Sequence, residues 1–268
     1  RPAVLQRSVR DMFDTMGRYI GRAVYMRDIT RETEVDRMKS EFLSTAAHEL
    51  RTPMASVHGF TELLLKRQFS DEKRHDIYET IHRQSTLLVN MVTELLDLAR
   101  IESRAGKDFN IRPYDARPLI ERAINGLLFL GDKRKVDLRL PANMPYVFAD
   151  EDHLVRALTN LLSNAYKYSP KGGDIILDIV ERSLDMGVQI GIRVTDQGIG
   201  MSPEQLSRVF ERFYRADPSG NIPGTGLGMS LVKEIMALMG GEVELRSEPG
   251  QGTEATLWLR VVTDEYRS

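Results

Sequence analysis

Residues 77–98 read IYETIHRQSTLLVNMVTELLDL. Within them Ile77, Ile81, Gln84, Leu88, Met91, Leu95 and Leu98 recur at alternating steps of four and three, the seam of a helix packed in a coiled coil or bundle. Ser70 opens this helix, with Asp71 and Glu72 in the first turn, where negative charge suits the helix dipole. Upstream, Asp28 or Thr30 caps an earlier helix. Its apolar face runs through Val35, Met38, Phe42, Ala46 and Leu50, and its pattern reaches about Arg67. Pro53 lies inside it and predicts a kink, because the ring removes a backbone donor. Residues 68–70 are then a short connection between two antiparallel helices. One hairpin cannot cover both apolar stripes, so a second copy of the chain is expected to complete a dimeric four-helix bundle. Gln84, the single polar residue of the seam, is a candidate for setting its register.

On either side of the hairpin the pattern changes. Residues 1–27 hold two short mixed patches punctuated by Gly17 and Gly21, with a strand-like Ala23-Val24-Tyr25-Met26. They read as a β-hairpin too small to bury a core of its own, the remnant of a preceding domain. From residue 105 the pattern is mixed α/β. Residues 118–130 and 152–168 read as helices, and residues 136–140, 175–180, 188–195, 242–247 and 254–261 as strands. Residues 228–239 form a late helix closed by Gly240 and Gly241. Between Gly200 and Gly224 the chain is polar, rich in Gly and Pro, and reads mostly as a mobile loop. The expected domains are therefore 1–27, the helical hairpin 28–104, an α/β domain 105–262 and a tail 263–268. The fold class is α plus α/β.

Composition narrows the function. The 268 residues suit roughly two domains, and 41% hydrophobic with 28% charged residues describes a folded chain rather than a disordered one. A net charge of −2, balanced on both sides of residue 105, leaves no basic stripe for direct nucleic-acid binding. The absence of cysteine excludes disulfides, thiolate metal sites and cysteine nucleophiles. No apolar run approaches the ~18 residues of a transmembrane helix, so no membrane contact is expected from this segment. The opening on Arg1, in mid-pattern, points to a longer protein.

Five short segments carry chemistry. In Ala47-His48-Glu49-Leu50-Arg51-Thr52-Pro53, His48 and Thr52 share one helix face, and Glu49 can reach the imidazole from the side. A neutral imidazole is a nucleophile near neutral pH, and a carboxylate that orients the ring activates it. Asn160 and Asn164 lie one turn apart with Lys167 three residues on; amide oxygens suit a hard cation, and the ammonium suits phosphate. Asp196-Gln197-Gly198-Ile199-Gly200 follows an apolar strand, where a carboxylate can accept from an exocyclic amine and glycines admit a flat base. Phe210, Phe213 and Tyr214 read as an aromatic cluster flanked by Arg212 and Arg215. Gly224-Thr225-Gly226-Leu227-Gly228-Met229 precedes a helix whose first amides would face an anion. Singly, each reads more simply as a solvated helix face, a turn or a packed aromatic.

Taken in order, the five segments resemble the H, N, first glycine, F and second glycine boxes of the sensor histidine kinases of two-component signalling. The resemblance covers about residues 31–262. Met54 stands where the family more often has leucine, and Ala47 where serine is frequent. Residues 1–30 are similar to the close of a PAS sensor domain. The resemblance implies a dimerisation and phosphotransfer hairpin followed by an ATP-binding α/β sandwich of the GHKL type. His48 would be the phosphoacceptor, Glu49 its acid/base partner, and Thr52 the residue that positions water for dephosphorylating a response regulator. Asn164 would hold Mg²⁺, with Asn160 and Lys167 near the phosphates and Asp196 on adenine. Tyr168, Gly198, Gly200, Arg215, Gly224, Thr225, Gly226, Leu227, Gly228 and Thr253 would complete the ATP site, and the segment between Gly200 and Gly224 would be its lid. The implied partners are a second copy of the chain and the receiver domain of a response regulator, and the implied location is the cytoplasm. Two other readings remain at this level: a GHKL-type ATPase acting as a nucleotide-driven clamp, and a non-catalytic dimeric scaffold.

Overall fold

The structure, a computed structural model, describes residues 3–104, 109–127, 134–170, 172–184, 187–217, 222 and 224–262, apart from the side chains of 102–104. The expected domain junction at 105, the end of the 118–130 helix, part of the lid segment and the tail 263–268 lie outside the described residues.

Strands β1 (Leu5–Phe13) and β2 (Tyr19–Asp28) pair antiparallel, Leu5 opposite Asp28. The Asp14 carboxylate holds the turn between them by accepting from the backbone N–H groups of Met16 and Arg18, both at 2.8 Å. Phe13, Tyr25 and Met26 stay exposed, as a lone hairpin requires. Helix α1 (Thr30–Lys66) follows, its start supported by Asp28, which accepts from the Thr30 N–H at 2.9 Å. It continues unbroken through Pro53, which is buried. Helix α2 (Asp71–Arg104) packs along α1. Of the seam residues, Met91 and Leu98 are buried. Ile77, Ile81, Gln84, Leu88 and Leu95 are half-buried in the single chain.

The α/β domain is built on a five-stranded sheet in the order β4 (Val136–Arg139), β6 (Ile175–Leu184), β7 (Gly187–Asp196), β9 (Gly252–Arg260), β8 (Glu242–Glu248). Strands β4 and β6 run parallel and the other neighbours antiparallel. Alternation along β7 buries Ile190, Ile192 and Val194. Against that face lie α3 (Ala116–Leu127), α4 (Glu151–Lys167) and α6 (Gly228–Leu238), which contribute Ile120, Leu158, Leu162, Leu231 and Ile235 to one core. The opposite face is polar. There Arg193 bonds Asp178 at 2.5 Å and approaches Glu254 at 3.3 Å, and Arg182 lies 4.2 Å from the centre of the Trp258 ring.

Three elements were not anticipated. Strands β3 (Arg112–Asp115) and β5 (Tyr146–Ala149) form a separate antiparallel pair too short for a periodic signal. Helix α5 (Pro203–Arg208) occupies part of the segment read as loop. It is fixed by a capping box: the Ser202 hydroxyl accepts from the Gln205 N–H at 3.2 Å, and the Gln205 amide oxygen accepts from the Ser202 N–H at 2.7 Å.

Helix α4 carries the core on one side and the expected ligands on the other, so its packing sets the site. Leu158→Ala, at a fully buried position, is expected to cost about 2–5 kcal/mol, read as a lower urea midpoint at unchanged slope.

Candidate functional site

Asp196 ends β7 in the inward-facing register, where the core layer opens into a cleft. The carboxylate is buried, and burial pushes its pKa up, opposed by donors from Gly198, Thr253 and Ser169. The Gly198 N–H lies at 2.8 Å, the Thr253 N–H at 3.3 Å and the Ser169 hydroxyl at 3.4 Å, all on the same oxygen, Oδ1. Oδ2 takes none of these three donors. The close approach behind this arrangement needs glycine at position 252. There φ is +89°, and a Cβ would stand 1.9 Å from the carbonyl oxygen of Asp196.

The cleft is also lined by Asn160, Asn164 and Lys167 of α4, by Tyr168 just past its end, and by Gly224, Thr225, Gly226 and Gly228 before and at the start of α6. No side chain caps the N-terminus of α6, so its first amides face the cleft without a competing acceptor of their own helix. Gly226, at φ +73°, leaves room for the backbone of Phe213, whose carbonyl carbon lies 2.6 Å from where a Cβ would be. Lys167 remains exposed to solvent, but desolvation of its ammonium lowers the pKa, opposed by the charge of Glu94. Burial raises the pKa of the Tyr168 phenol.

Glu94 is a cleft residue that sequence reasoning missed, because it comes from α2 rather than from the α/β domain. Its carboxylate accepts a hydrogen bond from the Thr225 hydroxyl, which itself accepts from the Leu227 N–H at 3.2 Å. Desolvation raises the Glu94 pKa, opposed by the Thr225 bond and by Lys167 and Arg156. One turn on, Asp97 pairs with Arg156 of α4. The one readable signal was position: Glu94 directly precedes seam residue Leu95, where coiled coils carry interhelical charges.

His48 lies elsewhere. Its imidazole is 75% exposed, and Nδ1 stands 3.6 Å from the Glu49 carboxylate, an ion-pair distance rather than a hydrogen bond. Thr52 is exposed on the same helix. None of His48, Glu49 and Thr52 lines the cleft.

Of the other expected nucleotide residues, Gly200 and Thr253 line the cleft, whereas Gly198, Leu227 and Arg215 do not. Gly198 acts through Asp196, Leu227 is fully buried, and Arg215 donates to the Ile222 carbonyl at 2.6 Å. The aromatic residues do not cluster. Phe213 packs on Phe42 of α1 with ring centres 5.7 Å apart, Tyr214 lies under Arg208, and Phe210 under Lys233.

Among the described residues no group of three His, Cys, Asp or Glu stands where it could hold a metal by itself. The donor set does fit a Mg²⁺ held jointly with a ligand. Asn164 offers an amide oxygen, and a polyphosphate and water would supply the remaining hard ligands.

The tight turn behind Asp196 gives a paired test. Gly250→Ala meets nothing within 4 Å and should lose only the cost of a positive φ, about 1 kcal/mol, whereas Gly252→Ala should lose about 3 kcal/mol or more, with nucleotide affinity lost alongside. Thermal unfolding of both variants measures the difference.

Comparison with known proteins agrees with both halves of this arrangement. Residues 38–104 match the His Kinase A (phospho-acceptor) domain, and residues 149–263 match the histidine kinase-, DNA gyrase B- and HSP90-like ATPase family. The chain is 33% identical over 250 residues to drug sensory protein A of Synechocystis sp., an alignment spanning 89% of this chain and 37% of that protein. It is 32% identical over 247 residues to the sensor-like histidine kinase SenX3 of Mycobacterium tuberculosis, spanning 91% of this chain and 59% of the relative. The chain thus spans less than two thirds of the length of these curated relatives. Among solved structures, full-length ShkA in complex with AMPPNP aligns at a TM-score of 0.57 and 28% identity, over 83% of this chain and 46% of that one. With a phosphoacceptor hairpin and an ATPase domain in that order, the chain belongs to the sensor histidine kinases.

Proposed function

We propose that this chain phosphorylates His48 from ATP, passes the phosphoryl group to an aspartate of a response-regulator receiver domain, and also dephosphorylates that regulator. The observation that carries the reading is the pairing, in one chain, of a solvent-exposed imidazole beside a carboxylate with a cleft whose buried Asp196 keeps one oxygen for a base. Glu49 sits on the Nδ1 side of the ring and so leaves Nε2 as the attacking atom. Nε2 bonds to the γ-phosphorus, the bond to the β–γ bridging oxygen breaks, ADP leaves, and Glu49 takes up the ring proton. Asn160, Lys167 and the amides at the start of α6 hold the phosphates in line, so that positioning and charge neutralisation supply most of the rate. Mg²⁺, held by Asn164 and the phosphates, supplies further charge neutralisation when bound. Thr52, one turn beyond His48, positions water for the phosphatase step. Asp196 accepts from the exocyclic amine of adenine, with Thr253 beside it. The AMPPNP complex of ShkA, a relative in fold and sequence, supports a nucleotide of the ATP type as the ligand.

Leu43, Met54, Leu65, Val89 and Leu96 are all more than half exposed on the hairpin. They support a homodimer in which a second hairpin covers them. The β1–β2 hairpin is read as the end of a PAS-like sensor domain whose state α1 carries into the bundle. No helix among the described residues is long and apolar enough to cross a membrane, and we place this portion of the protein in the cytoplasm.

Incubation of the purified chain with γ-labelled ATP and Mg²⁺ should give acid-labile, base-stable label that His48→Ala abolishes. ATP turnover without protein-bound label would instead favour the ATPase clamp. A second test uses pH. Because burial raises the Asp196 pKa and the ionised form is the better acceptor, affinity for adenosine should fall as pH drops, through a midpoint above the ordinary value of 3.8. A midpoint at or below that value in a titration of adenosine binding would remove Asp196 from base recognition.

A further inference from the structure

The helical hairpin touches the α/β domain through the segments that build the nucleotide cleft. On α2, Glu94 holds Thr225 in the glycine-rich segment, and Asp97 holds Arg156 on α4. On α1, Phe42 packs against Phe213, with the Arg212 guanidinium 4.9 Å from the centre of the Phe42 ring. The backbone of Phe213 presses on Gly226, so this contact also bears on the glycine-rich segment. Phe213 itself is held at φ +62°, the one non-glycine residue with positive φ among those described, a strained conformation that surrounding contacts must impose. About 9 Å of helix rise separates Phe42 from His48, and His48 is not among the cleft walls.

Glu94 therefore stands among the groups suited to phosphate: the Thr225 hydroxyl, the charge of Lys167 and the amides at the start of α6. We propose that Glu94 is an internal competitor for the phosphates of ATP, a residue that sets nucleotide affinity by holding Thr225 in the docked arrangement and must be displaced when a triphosphate enters. The reasoning is electrostatic and steric. An acidic side chain and a polyphosphate compete for the same hydroxyl and the same ammonium, and their like charges repel at short range. Adenosine, bound at the Asp196 end, meets neither objection. Linkage makes the effect reciprocal, so ATP weakens the grip of α2 on the glycine-rich segment by the factor that this grip weakens ATP. The inference rests on the ATP-site reading but adds a residue outside the α/β domain and a dependence on phosphate number.

The test is calorimetric titration of the full chain and of Glu94→Gln with adenosine, ADP and ATP. Glu94→Gln, which keeps shape and removes charge, should bind ATP about tenfold more tightly, ADP with a smaller gain, and adenosine unchanged. Glu94→Ala should give at least the same gain for ATP, and thermal unfolding without nucleotide checks that both variants are folded. Equal gains for adenosine and ATP would mean a merely steric effect and overturn the proposal. Weaker ATP binding in Glu94→Gln would overturn it too, by making Glu94 part of the binding site. Failure of the parent chain to bind ATP at all would instead sink the nucleotide-site reading on which both rest.

Discussion

The end of β7 is held by backbone packed against backbone. The carbonyl of Asp196 lies where any side chain at position 252 would begin, and Oδ1 of the same residue collects donors from the ends of α4 and β7 and the start of β9. A buried carboxylate is costly unless its hydrogen bonds are satisfied, and three donors converge on one of its oxygens. This crossing fixes the wall of the cleft around Asp196. Because it is built from backbone, it resists deformation by substitution of the flexible side chains around it.

At the opposite end the organisation is looser and electrostatic. Lys167, Thr225 and the start of α6 form a half-site for negative charge, and in this arrangement a carboxylate from the helical hairpin occupies it. The two ends differ in kind, one rigid and internal to the α/β domain, the other completed from outside it. On the proposed reading, that difference would let a flat, neutral base and a charged chain of phosphates be recognised separately. His48 stands outside the cleft on the hairpin that holds Thr225, so the proposed phosphoryl transfer would require the domains to part and meet again in another orientation.

Much of this was legible in the chain because periodicity and punctuation are local. The four-and-three spacing from Ile77 to Leu98 announced α2, and the strand that ends on Asp196 announced β7. Strands β3 and β5, four residues each, are too short to establish a period. Helix α5 was hidden by the polarity of its surroundings, although its Ser202-to-Gln205 capping box was readable. The aromatic residues from Phe210 to Tyr214 were read as a cluster because they are adjacent in sequence. In the fold each turns to a different partner, and Phe213 leaves the domain altogether to meet Phe42. Glu94 had no local signal of its role, since the groups that give it meaning belong to another part of the chain.

The pairing of Glu94 with Thr225 spans 131 positions, and Asp97 with Arg156 spans the same domain junction. Hairpin and ATPase domain are thus matched surfaces as well as successive modules. A hybrid that joined this hairpin to the ATPase domain of another family member would keep every box motif intact and still lose the fit between them. Within the family, residues 94 and 97 of the hairpin should therefore vary together with residues 225 and 156, and natural recombination at the junction should be selected against wherever those pairs differ.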